Sequence, residues 1–171
     1  FTASFGLQVG SVATDDPLIF LQLKLLVASD NATTRQSVRS LVEPWGMETD
    51  EAADSTTTLK ALRSSADRGH PYDVAILDLQ MPNNQGALIV PMVRCDPTLA
   101  QTKLIVMTTI HTLDSVQELE SMDLSGYLIK PVRASRLFDI LVSVFPDHAR
   151  SAMSSAVRQA TIAPEEGIRH Q

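Results

Sequence analysis

Asp73-Val74-Ala75-Ile76-Leu77-Asp78 is the stretch that decides the architecture. Apolar residues run without a break between two acids. A strand with one wet face alternates apolar and polar positions. A short unbroken apolar run instead fits a strand covered on both faces, as in a parallel sheet flanked by helices. Asp78 then stands at the carboxyl end of that strand. Leu79 to Gln85 follow as a loop, with Pro82, Asn83 and Asn84 as turn formers.

Reading outward gives the same alternation on both sides. Upstream, Lys24-Leu25-Leu26-Val27-Ala28 is a second buried strand. Asn31 to Thr34 can cap the helix after it, on which Val38, Leu41, Val42 and Trp45 follow at helical spacing. Pro44 and Gly46 close that helix. Met47 to Ala53 is a further strand. Leu59, Leu62 and Ala66 mark the buried stripe of the next helix, ended by Arg68-Gly69-His70-Pro71. Downstream, a helix is predicted over residues 86–95, where Pro91 should disturb the hydrogen bonding unless it lies in the first turn. Lys103 to Thr108 is the fourth strand. Leu113, Val116, Leu119 and Met122 suggest a fourth helix, Tyr127-Leu128-Ile129 a short fifth strand, and Leu137, Ile140, Leu141, Val144 and Phe145 the stripe of the last helix.

Strands alternating with helices imply an α/β fold: a doubly wound parallel sheet with right-handed crossovers. Such sheets bind ligands outside the carboxyl ends of their strands. Chemistry is therefore expected at Ser29-Asp30, Asp78, Thr108 and Lys130. Singly, each has an ordinary explanation: Asp30 a cap, Asp78 a turn residue, Thr108 a helix cap, Lys130 a solvated cation. Together they are chemically complementary. Neighbouring carboxylates favour a divalent cation, and one that keeps several waters is Mg²⁺. An aspartate so shielded can attack a phosphoryl group, while lysine and threonine donate to its oxygens.

Composition narrows the classes. The chain of 171 residues is 44% hydrophobic and 20% charged, as in an ordinary globular domain. Its formal net charge of −6 argues against a nucleic-acid-binding surface as the main function. A single cysteine, Cys95, excludes an internal disulfide and fits a reducing compartment; it reads as a partly buried small residue at a helix end. No apolar run reaches the roughly 20 residues of a membrane span, so no membrane contact is expected of this segment. His70, His111, His148 and His170 lack metal-ligand spacing. The chain opens without Met and is expected to be a piece of a longer protein.

The strand ends also carry a family likeness. Val27-Ala28-Ser29-Asp30-Asn31 resembles the first-strand acidic motif of the receiver domains of two-component signalling. Ile76-Leu77-Asp78-Leu79-Gln80-Met81-Pro82 resembles their phosphoacceptor motif, in the form common in hybrid kinases. Ile105-Val106-Met107-Thr108 resembles the fourth strand with its hydroxyl residue, and Gly126-Tyr127-Leu128-Ile129-Lys130-Pro131 the lysine motif. The motifs stand in the family's order and spacing over residues 24–145. The resemblance implies a flavodoxin-like (βα)5 fold with strand order 2-1-3-4-5. It implies Asp78 as phosphoacceptor, with Mg²⁺ bound directly by Asp30, Asp78 and the backbone carbonyl of Gln80. Thr108 and Tyr127 would form the switch, Lys130 would pair with the phosphoryl group, and the Lys130–Pro131 bond would be cis. The implied donor is a histidine kinase or histidine phosphotransfer domain. The face formed by the fourth helix, fifth strand and last helix would carry the output, or self-association.

Two positions depart from the family. Ser29 stands where a first acid is usual, and should hold the metal only weakly, through water. Thr109 follows the switch residue where a smaller side chain is usual, and should crowd the phosphoryl entrance. These departures keep a second reading open: a receiver-like interaction module that works without phosphorylation. A phosphohydrolase with an aspartyl nucleophile would place a second acid at position 80, which is Gln80. A flavodoxin-like cofactor binder would need a Gly-rich phosphate loop after the first strand, which is missing.

The ends divide from this core. Residues 1–23 read as a linker, and Phe1 to Leu7 resembles the last strand of a histidine-kinase ATP-binding domain. Residues 146–171 read as an extension of the last helix or a linker. The kinase catalytic residues themselves are not in the chain. The parent is expected to be a hybrid histidine kinase of bacterial type, with this domain in the cytoplasm and room for a membrane anchor elsewhere in the parent.

Overall fold

A computed structural model describes residues 19–112, 121, 123–151 and 154. The strands are β1 (Lys24–Ala28), β2 (Glu48–Ala52), β3 (Val74–Asp78), β4 (Lys103–Thr108) and β5 (Gly126–Ile129). The helices between and after them are α1 (Ala32–Val42), α2 (Ser55–Asp67), α3 (Gln85–Arg94) and α4 (Ala134–Val144), the last helix of the sequence reading. The predicted helix around residues 113–122 lies outside the described residues, apart from Ser121.

All strand pairs are parallel, and the order across the five-stranded sheet is β2-β1-β3-β4-β5. Every residue of β3 is buried, as the unbroken apolar run demands. Alternate residues feed two separate cores. Leu26, Ala28, Ala75, Leu77, Leu104 and Val106 meet α2 and α3 on one face. Leu25, Val27, Val74, Ile76, Ile105 and Met107 meet α1 and α4 on the other. Burial on both faces is what makes a central strand apolar at every position.

Local signals act where the sequence places them. The Asn31 side chain accepts from the N–H groups of Thr33 and Thr34 and starts α1. Gly46 (φ +81°) and Gly69 (φ +78°) take the left-handed conformation that ends helical segments. Pro91 departs from expectation. It lies well inside α3, not in its first turn, and the helix runs on through it. Ile89, Val90 and Val93 of this helix are fully buried, and that burial offsets the one hydrogen bond Pro91 cannot make.

The packed unit also reaches further upstream than β1. Phe20 and Leu23, read above as the end of a linker, belong to the core. Phe20 is wholly buried and stacks edge-on with Trp45 and Phe138, at ring centroid separations of 6.1 and 5.8 Å. Its N–H donates to the Trp45 carbonyl at 3.0 Å. Downstream of α4, Phe145 breaks the helix and residues 146–151 form a further helical turn. Cys95 is exposed, not partly buried, because it falls just past the end of α3. No described helix is long and apolar enough to cross a membrane.

Candidate functional site

The site forms where β1, β3 and β5 end together. The register pairs Ala28 with Leu77, so Ser29 and Asp78 are the next residues along adjacent strands. The Thr108 carbonyl at the end of β4 accepts from the Lys130 N–H at 2.8 Å and fixes the start of the next loop. The Lys130–Pro131 peptide that follows is cis.

Asp78 is the centre. Its side chain is 1% exposed, yet it is a carboxylate. Oδ2 accepts from Lys130 Nζ at 2.6 Å and from Ser29 Oγ at 2.7 Å; Oδ1 accepts from the Gln80 N–H at 2.9 Å. A buried carboxylate is tolerated only when paired and hydrogen-bonded, and here one cation and two neutral donors serve it. Lys130 also donates to Gln80 Oε1 at 3.1 Å. Ser29 Oγ in turn accepts from the Asn31 N–H at 3.2 Å. Its carbonyl accepts from Arg35 at 2.6 Å.

The residues singled out in the sequence are not all drawn into this cluster. Ser29, Asp78, Lys130 and the Gln80 backbone are bonded directly. Asp30 lies one residue past Ser29 at the same edge, and is exposed. Thr108 is fully buried, and its hydroxyl turns to Thr112 Oγ1 at 2.7 Å and the Thr109 carbonyl at 3.3 Å. Tyr127 is half-buried and packs on the core beneath α2 and α3. Thr109 is half-buried too, and its hydroxyl accepts from the Gln80 side-chain amide at 3.1 Å.

Three features escaped the sequence reading. The Gln80 side chain bridges Lys130 and Thr109, a role that only the fold reveals. Thr112 collects the hydroxyls of Thr108 and Thr109. Gly86 sits so close to Asp78 that a Cβ there would lie 1.9 Å from the Asp78 carbonyl oxygen. The start of α3 thus rests on the backbone of Asp78, and only glycine allows that approach. A glycine in the first turn of a predicted helix was the available signal.

The donor set offers oxygen ligands only: Asp30, Asp78, the Gln80 carbonyl and the Ser29 hydroxyl. Among the described residues no three or more His, Cys, Asp or Glu side chains are grouped so as to hold a metal ion. A pair of carboxylates with a carbonyl suits a hard cation that keeps most of its water, as Mg²⁺ does, and not zinc.

Comparison with known proteins identifies the class. Residues 25–142 match the family model of the response regulator receiver domain, and the chain belongs to that family. It is 27% identical over 124 residues to chemotaxis protein CheY-3 of Vibrio cholerae, covering 72% of this chain and 92% of that one. It is 29% identical over 142 residues to the osmosensing histidine protein kinase SLN1 of Saccharomyces cerevisiae, covering 82% of this chain but 11% of that much longer protein. The structure of the chemotaxis response regulator CheY4 of Vibrio cholerae superposes with a TM-score of 0.63 at 28% identity, covering 71% of this chain and 98% of that one. The sheet order and flanking helices are those of the CheY-like flavodoxin fold, and the domain is a receiver of two-component signal transduction.

Proposed function

We propose that this receiver accepts a phosphoryl group from a phosphohistidine onto Asp78. The observation that carries the reading is a fully buried carboxylate at the carboxyl edge of the central strand, held by Ser29, Lys130 and the Gln80 N–H. Buried charge at a strand end is costly, and a site that tolerates it commonly has a use for it. An Asp78 oxygen forms the new bond to phosphorus while the phosphorus–nitrogen bond of the donor breaks. The leaving imidazole nitrogen keeps the electron pair. Lys130 Nζ already sits on Asp78 Oδ2, within reach of the oxygens of an arriving group. Gln80 and Ser29 hold the carboxylate in one orientation, so little ordering remains for the reaction.

Asp30, Asp78 and the Gln80 carbonyl would hold Mg²⁺, with Ser29 reaching it only through water. When bound, that ion offsets the negative charge gathering at phosphorus. Thr108 and Tyr127 are the switch in this reading: the hydroxyl turns to the phosphoryl group and the ring moves inward. The partners are a histidine kinase or a histidine phosphotransfer domain, with output through the helix predicted around residues 113–122, β5 and α4. The match to a histidine protein kinase supports a hybrid-kinase parent.

The direct test is intact-mass spectrometry after incubation with acetyl phosphate and Mg²⁺. One added phosphate on wild type, absent from Asp78→Asn, is the expected outcome. Equal labelling of both would sink the assignment. One observation favours a second reading, an interaction module indifferent to phosphate: Ser29 Oγ already occupies Asp78 Oδ2 where the family places an acid. No labelling of either protein, with partner binding unchanged by Asp78→Asn, would favour that module.

A further inference from the structure

Thr112 has no part in the function described so far, yet it holds the residue that should move. Its hydroxyl lies 2.7 Å from Thr108 Oγ1. It also lies 3.2 Å from the Thr109 carbonyl and accepts from the Thr109 N–H at 3.3 Å. Each threonine hydroxyl has one proton and two lone pairs. Either hydroxyl can be the donor between Thr108 and Thr112. With Thr108 donating, Thr112 accepts from Thr108 and from the Thr109 N–H, which fills its two lone pairs, and its own proton serves the Thr109 hydroxyl or carbonyl. Thr108 is fully buried. Thr112 is the closer of its two partners, at 2.7 Å against 3.3 Å for the Thr109 carbonyl, and a buried hydroxyl gives up its better bond only when another partner replaces it.

The same hydroxyl is tied to the other side of the site. Lys130 Nζ donates to Gln80 Oε1 at 3.1 Å, Gln80 Nε2 donates to Thr109 Oγ1 at 3.1 Å, and Thr109 Oγ1 lies 3.1 Å from Thr112 Oγ1. A continuous chain of bonds thus runs from the lysine beside Asp78 to the Thr108 hydroxyl. When Lys130 swings from Gln80 to a phosphoryl oxygen, this chain loses its first link just as Thr108 gains a new acceptor.

We propose that Thr112 is a positioning residue that latches the switch: its hydroxyl holds Thr108 turned away from Asp78 in the unphosphorylated domain. The inference rests on Asp78 as phosphoacceptor and Thr108 as its switch partner. A bond made only in the resting state favours that state, so its removal shifts the population toward the engaged one. Thr112 therefore sets how tightly the domain responds to an occupied Asp78. The Gln80–Thr109 bridge makes that latch sensitive to where Lys130 points.

The test measures binding of beryllofluoride, a phosphoryl mimic, by calorimetry on the full chain with Mg²⁺. Thr112→Val keeps the shape and removes the hydroxyl; Thr112→Ala removes it with less bulk; Thr112→Ser keeps it. Both hydroxyl-free variants should bind roughly three- to tenfold more tightly, the worth of one net hydroxyl bond. Thr112→Ser should behave as wild type. In a Thr108→Val background the gain should vanish, because the latched group is gone. The latch is overturned if wild type binds and the hydroxyl-free variants bind equally or more weakly. It is also overturned if the gain survives in Thr108→Val. Failure of wild type and every variant to bind overturns the reading of Asp78 itself, and the latch with it.

Discussion

The two ends of the sheet hold similar groups and use them differently. At the amino end, Lys24 meets a ring of polar partners. Its Nζ donates to Ser65 at 3.0 Å, lies 3.9 Å from Asp50 and sits 4.5 Å from the centre of the Tyr72 ring. Its backbone N–H donates to Asp73 at 2.8 Å. At the carboxyl end, Lys130 meets Asp78 at 2.6 Å. Both clusters pair a lysine with an aspartate. The acid separates them: Asp50 is 49% exposed and Asp78 is 1% exposed. An exposed carboxylate is stabilised by water whether or not the lysine stays. A buried one depends on its partners, and any group that takes those partners away changes the whole site. Position adds the rest, since parallel sheets open their crevice at the carboxyl edge only.

The largest contrast comes from removing each lysine. Lys130→Met should slow labelling by acetyl phosphate on the order of 100-fold, by analogy with loss of a single charge-stabilising donor. It should also leave Asp78 buried without its cation and lower stability by about 3 kcal/mol. Lys24→Met should cost about 1 kcal/mol and leave labelling unchanged. Labelling time courses and urea midpoints on both variants check this. Equal loss of labelling from the two would erase the distinction between the ends.

Ser29→Asp sharpens the same contrast with a smaller effect. It would place a second carboxylate beside Asp78, where Ser29 Oγ now donates at 2.7 Å. Without metal the like charges should lower stability by about 1–2 kcal/mol. With Mg²⁺ the same pair should bind roughly tenfold more tightly than wild type. The melting temperature should then rise with Mg²⁺ more steeply in the variant than in wild type. A melting curve that ignores Mg²⁺ in the variant would show that position 29 does not reach the metal.

Most of the fold was legible because it rests on burial. The run from Val74 to Leu77 fitted a doubly covered strand, and the remaining strands followed from their spacing. The strand-end residues were legible for the same reason: once the strands are placed, Ser29, Asp78, Thr108 and Lys130 can only be at one edge. What was hidden depends on side-chain direction. Nothing in Gln80 or Thr112 announces a bond to Thr109, since Gln80 lies in a loop and Thr112 in a single 3-10 turn, and periodicity fixes the path of neither. Phe20 and Leu23 looked like linker because they precede the first strand in an irregular segment, and the rings that cover Phe20, Trp45 and Phe138, lie far along the chain. Pro91 misled in the opposite direction, because the penalty of one lost bond was weighed without the buried face of α3.

The smallest effect lies at the amino end and is a matter of pH. Tyr72 is buried, and its hydroxyl donates to Asp50 Oδ2 at 2.6 Å. Burial first, then the bond to Asp50 and its charge, push the phenol well above its ordinary value. An unfolded tyrosine loses its proton near pH 10. The folded chain keeps its proton there, so above about pH 10 the native state binds more protons than the unfolded one. Stability is therefore fully present below that pH and falls as pH rises through it. Tyr72→Phe should cost about 1 kcal/mol at pH 8 by removing the bond, and should flatten this alkaline fall. Lysines titrate in the same range, so the quantity to measure is the difference between wild type and variant in urea midpoint at pH 8 and at pH 10.5. That difference should narrow at the higher pH, while labelling of Asp78 at pH 8 stays the same in both proteins. A constant difference would mean that Asp50 does not hold the phenolic proton. A change in labelling would mean that the two ends of the sheet are coupled, and that the amino end is more than a structural clasp.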